Sequence, residues 1–345
     1  MTPIDLHDWL APQAPALAAT IETLARSCAR IAESAALGQL AGLEGYTEHA
    51  NSQGEMQTKL DLFADECIAG ALAGCRHVAG WASEEHDEPS ISEEHAETGE
   101  YLVVFDPLDG SSNIDANISV GTIFSILPHP FRGTPPGAAG FLQPGRRQVA
   151  AGYVIYGPAC VLVLSCGNGV AAFTLDRRDS RWRLTRDAIR VPEQTREFAI
   201  NASNQRFWEK PVQRYVSECL AGETGPRSKD FNMRWVASLV AEVHRILSRG
   251  GVFLYPRDTK TPYKPGRLRL MYEAAPIAFL MEQAGAGAVT GTRHLLDVVP
   301  DTLHQRVPMI VGSLQEVELI VRYHEDPNEN VSWQLFGSRS LFVRA

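Results

Sequence analysis

The stretch 101-YLVVFDPLDGSSNID-115 decides how the rest of the chain is read. Tyr101 to Phe105 form an aromatic and β-branched run of the kind that becomes a buried strand, and two carboxylates, Asp106 and Asp109, stand where it stops. Pro107 lacks an N–H and Gly110 permits the turn that follows, so both carboxylates and the Leu108 carbonyl can converge at the strand end. Hard oxygen donors in that arrangement suit Mg²⁺ or Mn²⁺, which bind a few carboxylates and take their remaining ligands from water and phosphate oxygens. Gly110, Ser111 and Ser112 then offer backbone N–H groups and hydroxyls to an anion. Taken alone, the stretch also fits an Asx-type turn with solvated aspartates.

Upstream, the segment 82-ASEEHDEPSISEEHAETGE-100 holds eight acids and no Lys or Arg, and two glutamate pairs compete as further cation ligands. Glu84 and Glu85 follow 77-HVAGWAS-83, which reads as a strand end. Glu93 and Glu94 lie among Ser, His and Thr without an apolar anchor, so the first pair is favoured.

Length and composition bound the rest. The chain has 345 residues, 44% hydrophobic and 21% charged, enough for a large core in one or two tightly joined domains. No apolar run reaches the length of a membrane span, and 1-MTPIDLHDWL-10 lacks the basic and apolar regions of a signal peptide, so the cytoplasm is the expected compartment. Six scattered cysteines without a CxxC read as reduced core thiols. A net charge of −9 argues against nucleic-acid affinity, and no membrane partner is expected.

Apolar residues at Ile21, Leu24, Cys28 and Ile31 predict an N-terminal amphipathic helix within 17–43, and 59-KLDLFADECIAGALAG-74 a second one. Five β-like runs between 101 and 176 predict one large sheet. The stretch 131-FRGTPPGAAGFLQPGRR-147 reads as loop. Beyond it, 234-RWVASLVAEVHRILSRGG-251 reads as a helix, 252-VFLYP-256 as a strand and 272-YEAAPIAFLMEQAGAG-287 as a helix. The alternation predicts an α/β (α+β) layered sandwich: one compact unit with an N-terminal half over 1–190 carrying the metal and phosphate site and a C-terminal half over 191–345.

The motif 105-FDPLDGSSNID-115 resembles the metal-binding signature of the lithium-sensitive, Mg-dependent phosphomonoesterases. Its continuation 113-NIDANISVGTIFSIL-127 joins 53-QGEMQTKLDLFAD-65, Ser83 to Glu85, 142-LQPGRRQVAAGYVIYG-157, 240-VAEVHRILSRGGVFLYP-256 and 266-GRLRLMYEAAPIAFLMEQAGA-286. Together these blocks, covering 54–290, are similar to class 1 fructose-1,6-bisphosphatases of bacterial type. The resemblance implies a sugar phosphatase fold with two sheet-containing halves, a homotetramer, and Mg²⁺-dependent hydrolysis of fructose 1,6-bisphosphate in carbohydrate metabolism, whether gluconeogenesis or a Calvin-type carbon-fixing cycle. It implies two or more Mg²⁺ per subunit, with Mn²⁺ able to substitute, on Glu84, Glu85, Asp106, the Leu108 carbonyl, Asp109 and Glu273. Asp61 and Glu85 match the pair that activates the attacking water, and Glu55 matches a loop acid approaching a further cation, although animal members carry Asp there.

Substrate contacts carried over the same way fall on Asp109, Gly110, Ser111 and Ser112 for the 1-phosphate side. Asn201, Arg234, Tyr255, Arg267 and Arg269 serve the sugar and the 6-phosphate, with Arg234 reaching a neighbouring subunit's site. Trp235 stands where animal members have a phosphate-binding Tyr, and Arg267 replaces a Lys, so a seven-carbon bisphosphate can be accommodated. The alternatives are therefore a sedoheptulose 1,7-bisphosphate or inositol-phosphate phosphatase, and, more remotely, a non-catalytic metabolite-binding homologue. Every matched acidic position keeps a carboxylate, which argues against the last. The family's AMP-binding turn has no counterpart in 17–43, Glu100 takes the place of the nucleotide-binding Lys, and no Cys-bearing insertion lies between Val149 and Val170. Insensitivity to AMP and to thiol reduction is expected.

Overall fold

The computed structural model describes residues 4–43, 45–50 and 56–326. Two helices, α1 (Pro15–Leu37) and α2 (Lys59–Ala73), cover one face of an eight-stranded sheet. Its strands are β1 (Val78–Ser83), β2 (Ser90–Ile91), β3 (Tyr101–Asp109), β4 (Val120–Pro128), β5 (Ala150–Tyr156), β6 (Cys160–Ser165), β7 (Ala171–Asp176) and β8 (Arg181–Arg186). They lie in the order β8-β7-β6-β5-β4-β3-β1-β2, antiparallel except for the parallel pair β1 and β3. All five β-like runs thus enter one sheet. Strands β3 to β6 are buried on both faces, which is why they read as continuous apolar runs and not as alternating ones.

A second sheet is formed by β9 (Glu197–Ile200), β10 (Asn232–Met233), β11 (Val252–Tyr255), β12 (Gly287–Val289) and β13 (Met309–Gly312), in the order β10-β9-β11-β13-β12. Between the two sheets lie α4 (Leu239–Arg249) and α5 (Ala275–Gln283), whose Val240, Val243, Ile277 and Leu280 are fully buried against Ile123 and Tyr153 on one side and Met309 and Val311 on the other. The outer face of the second sheet is covered by α3 (Lys210–Leu220) and α6 (Leu314–Glu325) through Tyr215, Ile320 and Tyr323. The order of layers is helix, sheet, helix, sheet, helix, an α/β sandwich as the sequence predicts. Gly121 of β4 makes the central layer possible: a Cβ there would stand 2.2 Å from the Val154 carbonyl and 2.8 Å from the Val240 side chain.

Three local readings change. The 131–147 segment is not all loop, since Ala138–Phe141 and Gly145–Arg147 form short helical turns, the first burying Phe141 completely. The N-terminal helix stops at Leu37, where Gly38 has φ 51°, and a 3₁₀ turn follows over Gly38–Ala41. The helix expected from Arg234 starts only at Leu239, because Ala237 sits at φ 61° and Ser238 caps the helix by accepting from the Ala241 N–H.

Candidate active site

Asp106 and Asp109 end β3, and their convergence has a backbone cause. Side chains in a strand alternate in direction, so residues three apart should point to opposite faces. The pairing of β3 with β4 runs Asp106 to Ile123 and then Asp109 to Gly121, so one extra residue is inserted opposite β4. This bulge at Pro107 and Leu108 turns both carboxylates onto one side. Asp106 Oδ1 accepts from the Leu108 N–H at 2.9 Å, and the Pro107 carbonyl accepts from the Thr122 hydroxyl at 2.8 Å. The Asx-type turn is therefore present, but Asp106, Leu108 and Asp109 are buried, not solvated.

Glu273 comes from a π-turn over Leu270–Ala274 immediately before α5, so the helix expected from Tyr272 starts only at Ala275, with Pro276 in its first turn, where a missing N–H costs nothing. Its Oε2 accepts from the Arg269 N–H at 2.6 Å. Ligand atoms of Asp106, Asp109 and Glu273 lie within 4.8 Å of one another, a spacing that fits a bound cation. Burial drives the Asp109 carboxyl up to about 6 and Glu273 to about 7. Asp106 is pushed well above the ordinary range by burial, then by Glu84, Asp109 and Glu273. Three buried carboxylates crowded together resist simultaneous ionisation unless positive charge joins them, and the all-oxygen donor set suits a hard divalent ion.

Glu84 and Glu85 follow the end of β1, beside β3, with the Glu84 N–H donating to the Phe105 carbonyl at 3.1 Å. Glu93 and Glu94 are exposed, whereas Glu84 and Glu85 are half-buried. Glu84 receives the guanidinium of the buried Arg269, and Glu85 Oε2 accepts from Gln57 Nε2 at 2.6 Å. Asp61 is the N3 residue of a capping box with Thr58, accepting from the Thr58 N–H at 2.7 Å. Burial raises its carboxyl to about 6 and Glu85 adds repulsion, while the Thr58 backbone and hydroxyl and the nearby Ser111 hydroxyl act to lower it. The loop after β3 is thus adjacent to Asp61. Gly110 is fixed there by φ 77° and by Ser238, whose Cβ would be 3.0 Å from an added side chain. Ser111 is half-buried and Ser112 exposed.

Of the residues expected to contact the sugar, Asn201, Tyr255 and Arg267 line one small cavity together with Asp258, which accepts from Arg267 Nη2 at 3.1 Å. Asn201 Oδ1 caps a turn through the Ser203 N–H. Tyr255 also feels the charge of Glu273, which links this cavity to the carboxylate cluster. Trp235, Phe253 and Tyr255 form a parallel set of rings with centroids 5.9 to 6.1 Å apart. Arg234 stands apart: its side chain is half exposed and its Nε lies 3.6 Å from Glu197. Glu55 lies outside the described residues. Sequence reasoning missed Ser238 and the Val240 N–H, which both hold Asp109, and Gln57, Asp65 and His86 around the Glu84–Glu85 turn. The one available signal was Asp65, four residues after Asp61 and so on the same face of α2.

Buried carboxylates at cation-binding spacing, beside a loop of small donors and a cavity holding Arg267, fit the class of phosphoric monoester hydrolases. The family models described as Fructose-1-6-bisphosphatase, N-terminal domain and C-terminal domain match residues 10–187 and 191–325. The chain belongs to the fructose-1,6-bisphosphatase family. It is 65% identical over 348 residues to a class 1 fructose-1,6-bisphosphatase of Methylibium petroleiphilum, covering 100% of this chain and 99% of that one. The class 1 enzyme of Hydrogenophilus thermoluteolus is 56% identical over 326 residues, covering 94% of this chain and 91% of that one. Among solved structures, Leishmania major fructose-1,6-bisphosphatase in holo form superposes with a TM-score of 0.88 at 34% identity, and its apo form with 0.83 at 32%. Each covers 94% of this chain and 100% of the Leishmania one.

Proposed function

We propose that the chain hydrolyses D-fructose 1,6-bisphosphate to fructose 6-phosphate and phosphate, with Mg²⁺ as the working cation and Mn²⁺ as a substitute. The observation that carries this is the Asp106, Asp109 and Glu273 cluster beside Gly110–Ser112, in a chain of this family. Glu84 and Glu85 complete the cation site with the Leu108 carbonyl, since their charges act on Asp106. A divalent cation held by these carboxylates would supply charge neutralisation at the phosphoryl oxygens, a more acidic attacking water and stabilisation of the leaving alkoxide. Asp61 and Glu85 accept the water's proton: Asp61, with its carboxyl near 6, is mostly ionised at neutral pH yet basic enough to take it. Ser111, Ser112 and the backbone after Gly110 hold the transferring group. Asn201, Tyr255 and Arg267 receive the sugar and its distal phosphate, and Arg269, paired with Glu84, is assigned to the same phosphate. Glu55, outside the described residues, enters this reading on the resemblance alone, as a loop acid for a further cation.

The rings of Trp235, Phe253 and Tyr255 keep the second reading in play. Trp235 puts an apolar surface where animal members offer a hydroxyl, which widens tolerance toward sedoheptulose 1,7-bisphosphate. The expected home is the cytoplasm; no helix among the described residues is long and apolar enough to cross a membrane. A homotetramer in which Arg234 serves a neighbour's site is part of the same reading. Initial rates of phosphate release on fructose 1,6-bisphosphate, sedoheptulose 1,7-bisphosphate and inositol monophosphate, measured side by side in Mg²⁺, test it. The six-carbon bisphosphate should give the highest kcat/KM, and a preference for inositol phosphate would reject it.

A further inference from the structure

Asp65 is buried, 3% exposed, on α2 one turn after Asp61, and its carboxylate touches neither a cation cluster nor a substrate cavity. Its Oδ1 accepts from the Ser83 hydroxyl, and its Oδ2 lies 2.8 Å from His86 Nε2. The Ser83 oxygen in turn accepts from the Glu85 N–H at 3.2 Å. The turn after β1 is closed by the His86 N–H to the Ser83 carbonyl at 3.4 Å, and the His86 carbonyl lies 3.0 Å from His304 Nε2. One helical carboxylate therefore grips both ends of the four-residue turn that presents Glu84 and Glu85.

We propose that Asp65 is a positioning residue that fixes Glu84 and Glu85 relative to Asp61, acting through Ser83 and His86; the inference rests on the cation and water-activating roles given above. The physical argument is one of rigidity. Asp61 and Asp65 are joined by a single turn of helix, the stiffest connection available between two side chains. The Glu84–Glu85 turn has an acidic, exposed continuation in Asp87 and Glu88 that repels it from the cluster. With its hydroxyl proton committed to Asp65, Ser83 keeps a lone pair aimed at the Glu85 N–H. Carboxylates that orient ligand-bearing groups in this way contribute about 10- to 100-fold to metal affinity or activity.

The test compares the full-length parent with Asp65→Ala, Asp65→Asn and His86→Gln, reading Mn²⁺ binding by electron paramagnetic resonance, fructose 1,6-bisphosphate kinetics and melting temperature. Asp65→Ala should weaken Mn²⁺ binding and lower kcat by at least about tenfold while leaving KM within about twofold. Asp65→Asn, whose amide can accept from Ser83 and donate to a neutral His86 Nε2, should return to within about threefold of the parent. His86→Gln should fall between the two. Asp65→Ala protein that melts lower but binds Mn²⁺ and turns over as the parent does would overturn the proposal by reducing Asp65 to a fold-stabilising role. Should Asp65→Ala fail to fold, Ser83→Ala cuts the same link, and unchanged Mn²⁺ binding in that variant overturns the proposal equally. Because Mn²⁺ binding is read apart from turnover, a parent that binds Mn²⁺ but releases no phosphate would count against the substrate assignment and not against the role of Asp65.

Discussion

Asp109 Oδ2 accepts a hydrogen bond from the backbone N–H of Val240 at 2.9 Å, and so ties the end of β3 to the first turn of α4. Ser238, the cap of that helix, adds its hydroxyl to the same oxygen at 3.1 Å, while Asn113 reaches the Ala237 carbonyl at 2.8 Å. The helix start carries partial positive charge toward a buried carboxylate, which favours the ionised form and holds its direction. The same helix reaches the segment holding Arg234 and Trp235, because Glu242 accepts from the Val236 N–H at 2.7 Å and pairs with Arg245, which pairs with Glu197 and so with Arg234. One short helix thus joins the loop after β3 to that segment.

The raised carboxyls make metal-free stability fall with pH. Asp61 and Asp109 near 6 and Glu273 near 7 lie above the ordinary values of about 4 that the unfolded chain would show. Their contribution to stability is fully present below about pH 4 and is lost as pH rises through about 6 to 7. The melting temperature gained on adding MgCl₂ should be several degrees larger at pH 8 than at pH 5.5. Equal gains at both values, measured by scanning calorimetry after chelation, would refute this electrostatic reading of the cluster.

Acid should also silence catalysis through Asp61. The kcat/KM profile is expected to fall below about pH 6 as Asp61 takes up a proton, and Asp61→Asn should be slower by orders of magnitude and lose that limb. An unchanged acid limb in an active Asp61→Asn enzyme would move the general base elsewhere.

Arg234→Ala should raise KM for the bisphosphate about tenfold or more without changing Mn²⁺ binding, since the side chain lies apart from the carboxylate cluster. If its guanidinium serves a neighbouring subunit, hybrids of the KM-impaired Arg234→Ala chain with the inactive Asp61→Asn chain regain low-substrate activity. Verified hybrids no more active at low substrate than the Arg234→Ala parent would exclude sharing.

Regulation by AMP or by thiols should be absent. Arg146 is engaged by Asp297 and Glu282, and Glu100, which takes the place of the nucleotide-binding Lys beside Tyr101, should repel a nucleotide phosphate. Cys28, Cys67, Cys75, Cys160 and Cys219 are buried and Cys166 is half-buried, and burial pushes the Cys160 and Cys166 thiols up to about 12, which keeps them unreactive. Initial rates are expected to be unchanged in millimolar AMP and after oxidation or reduction; submillimolar inhibition, or activity gained only on reduction, would contradict this.

The sequence carried those parts of the fold and site that depend on local pattern. Apolar runs mark β3 to β7, and the carboxylates after Phe105 and Ser83 stand at strand ends, because a buried strand needs apolar side chains and polar residues collect where it stops. The bulge at Pro107 and Leu108 was not legible, since a one-residue insertion shows only against the partner strand. The late start of α4 was hidden too: alanine does not favour the positive φ of Ala237, and its carbonyl's partner, Asn113, lies far away in the chain. Partners distant in the chain, such as Asp109 with Val240 or Arg269 with Glu84, are 131 and 185 residues apart and have no local signature. The resemblance, and not periodicity, singled out Asp61 and Glu273.

Phosphate release from fructose 1,6-bisphosphate at saturating Mg²⁺, compared between the parent and Asp109→Asn, tests the assignment most directly. Asparagine keeps an oxygen for the Val240 N–H and removes only the charge, so the variant should fold and melt close to the parent. Turnover should drop by about three orders of magnitude or more, and chelation of Mg²⁺ should abolish the parent's activity. A well-folded Asp109→Asn protein with near-parental turnover, or a parent indifferent to chelation, would contradict a cation-assisted phosphatase built on this cluster.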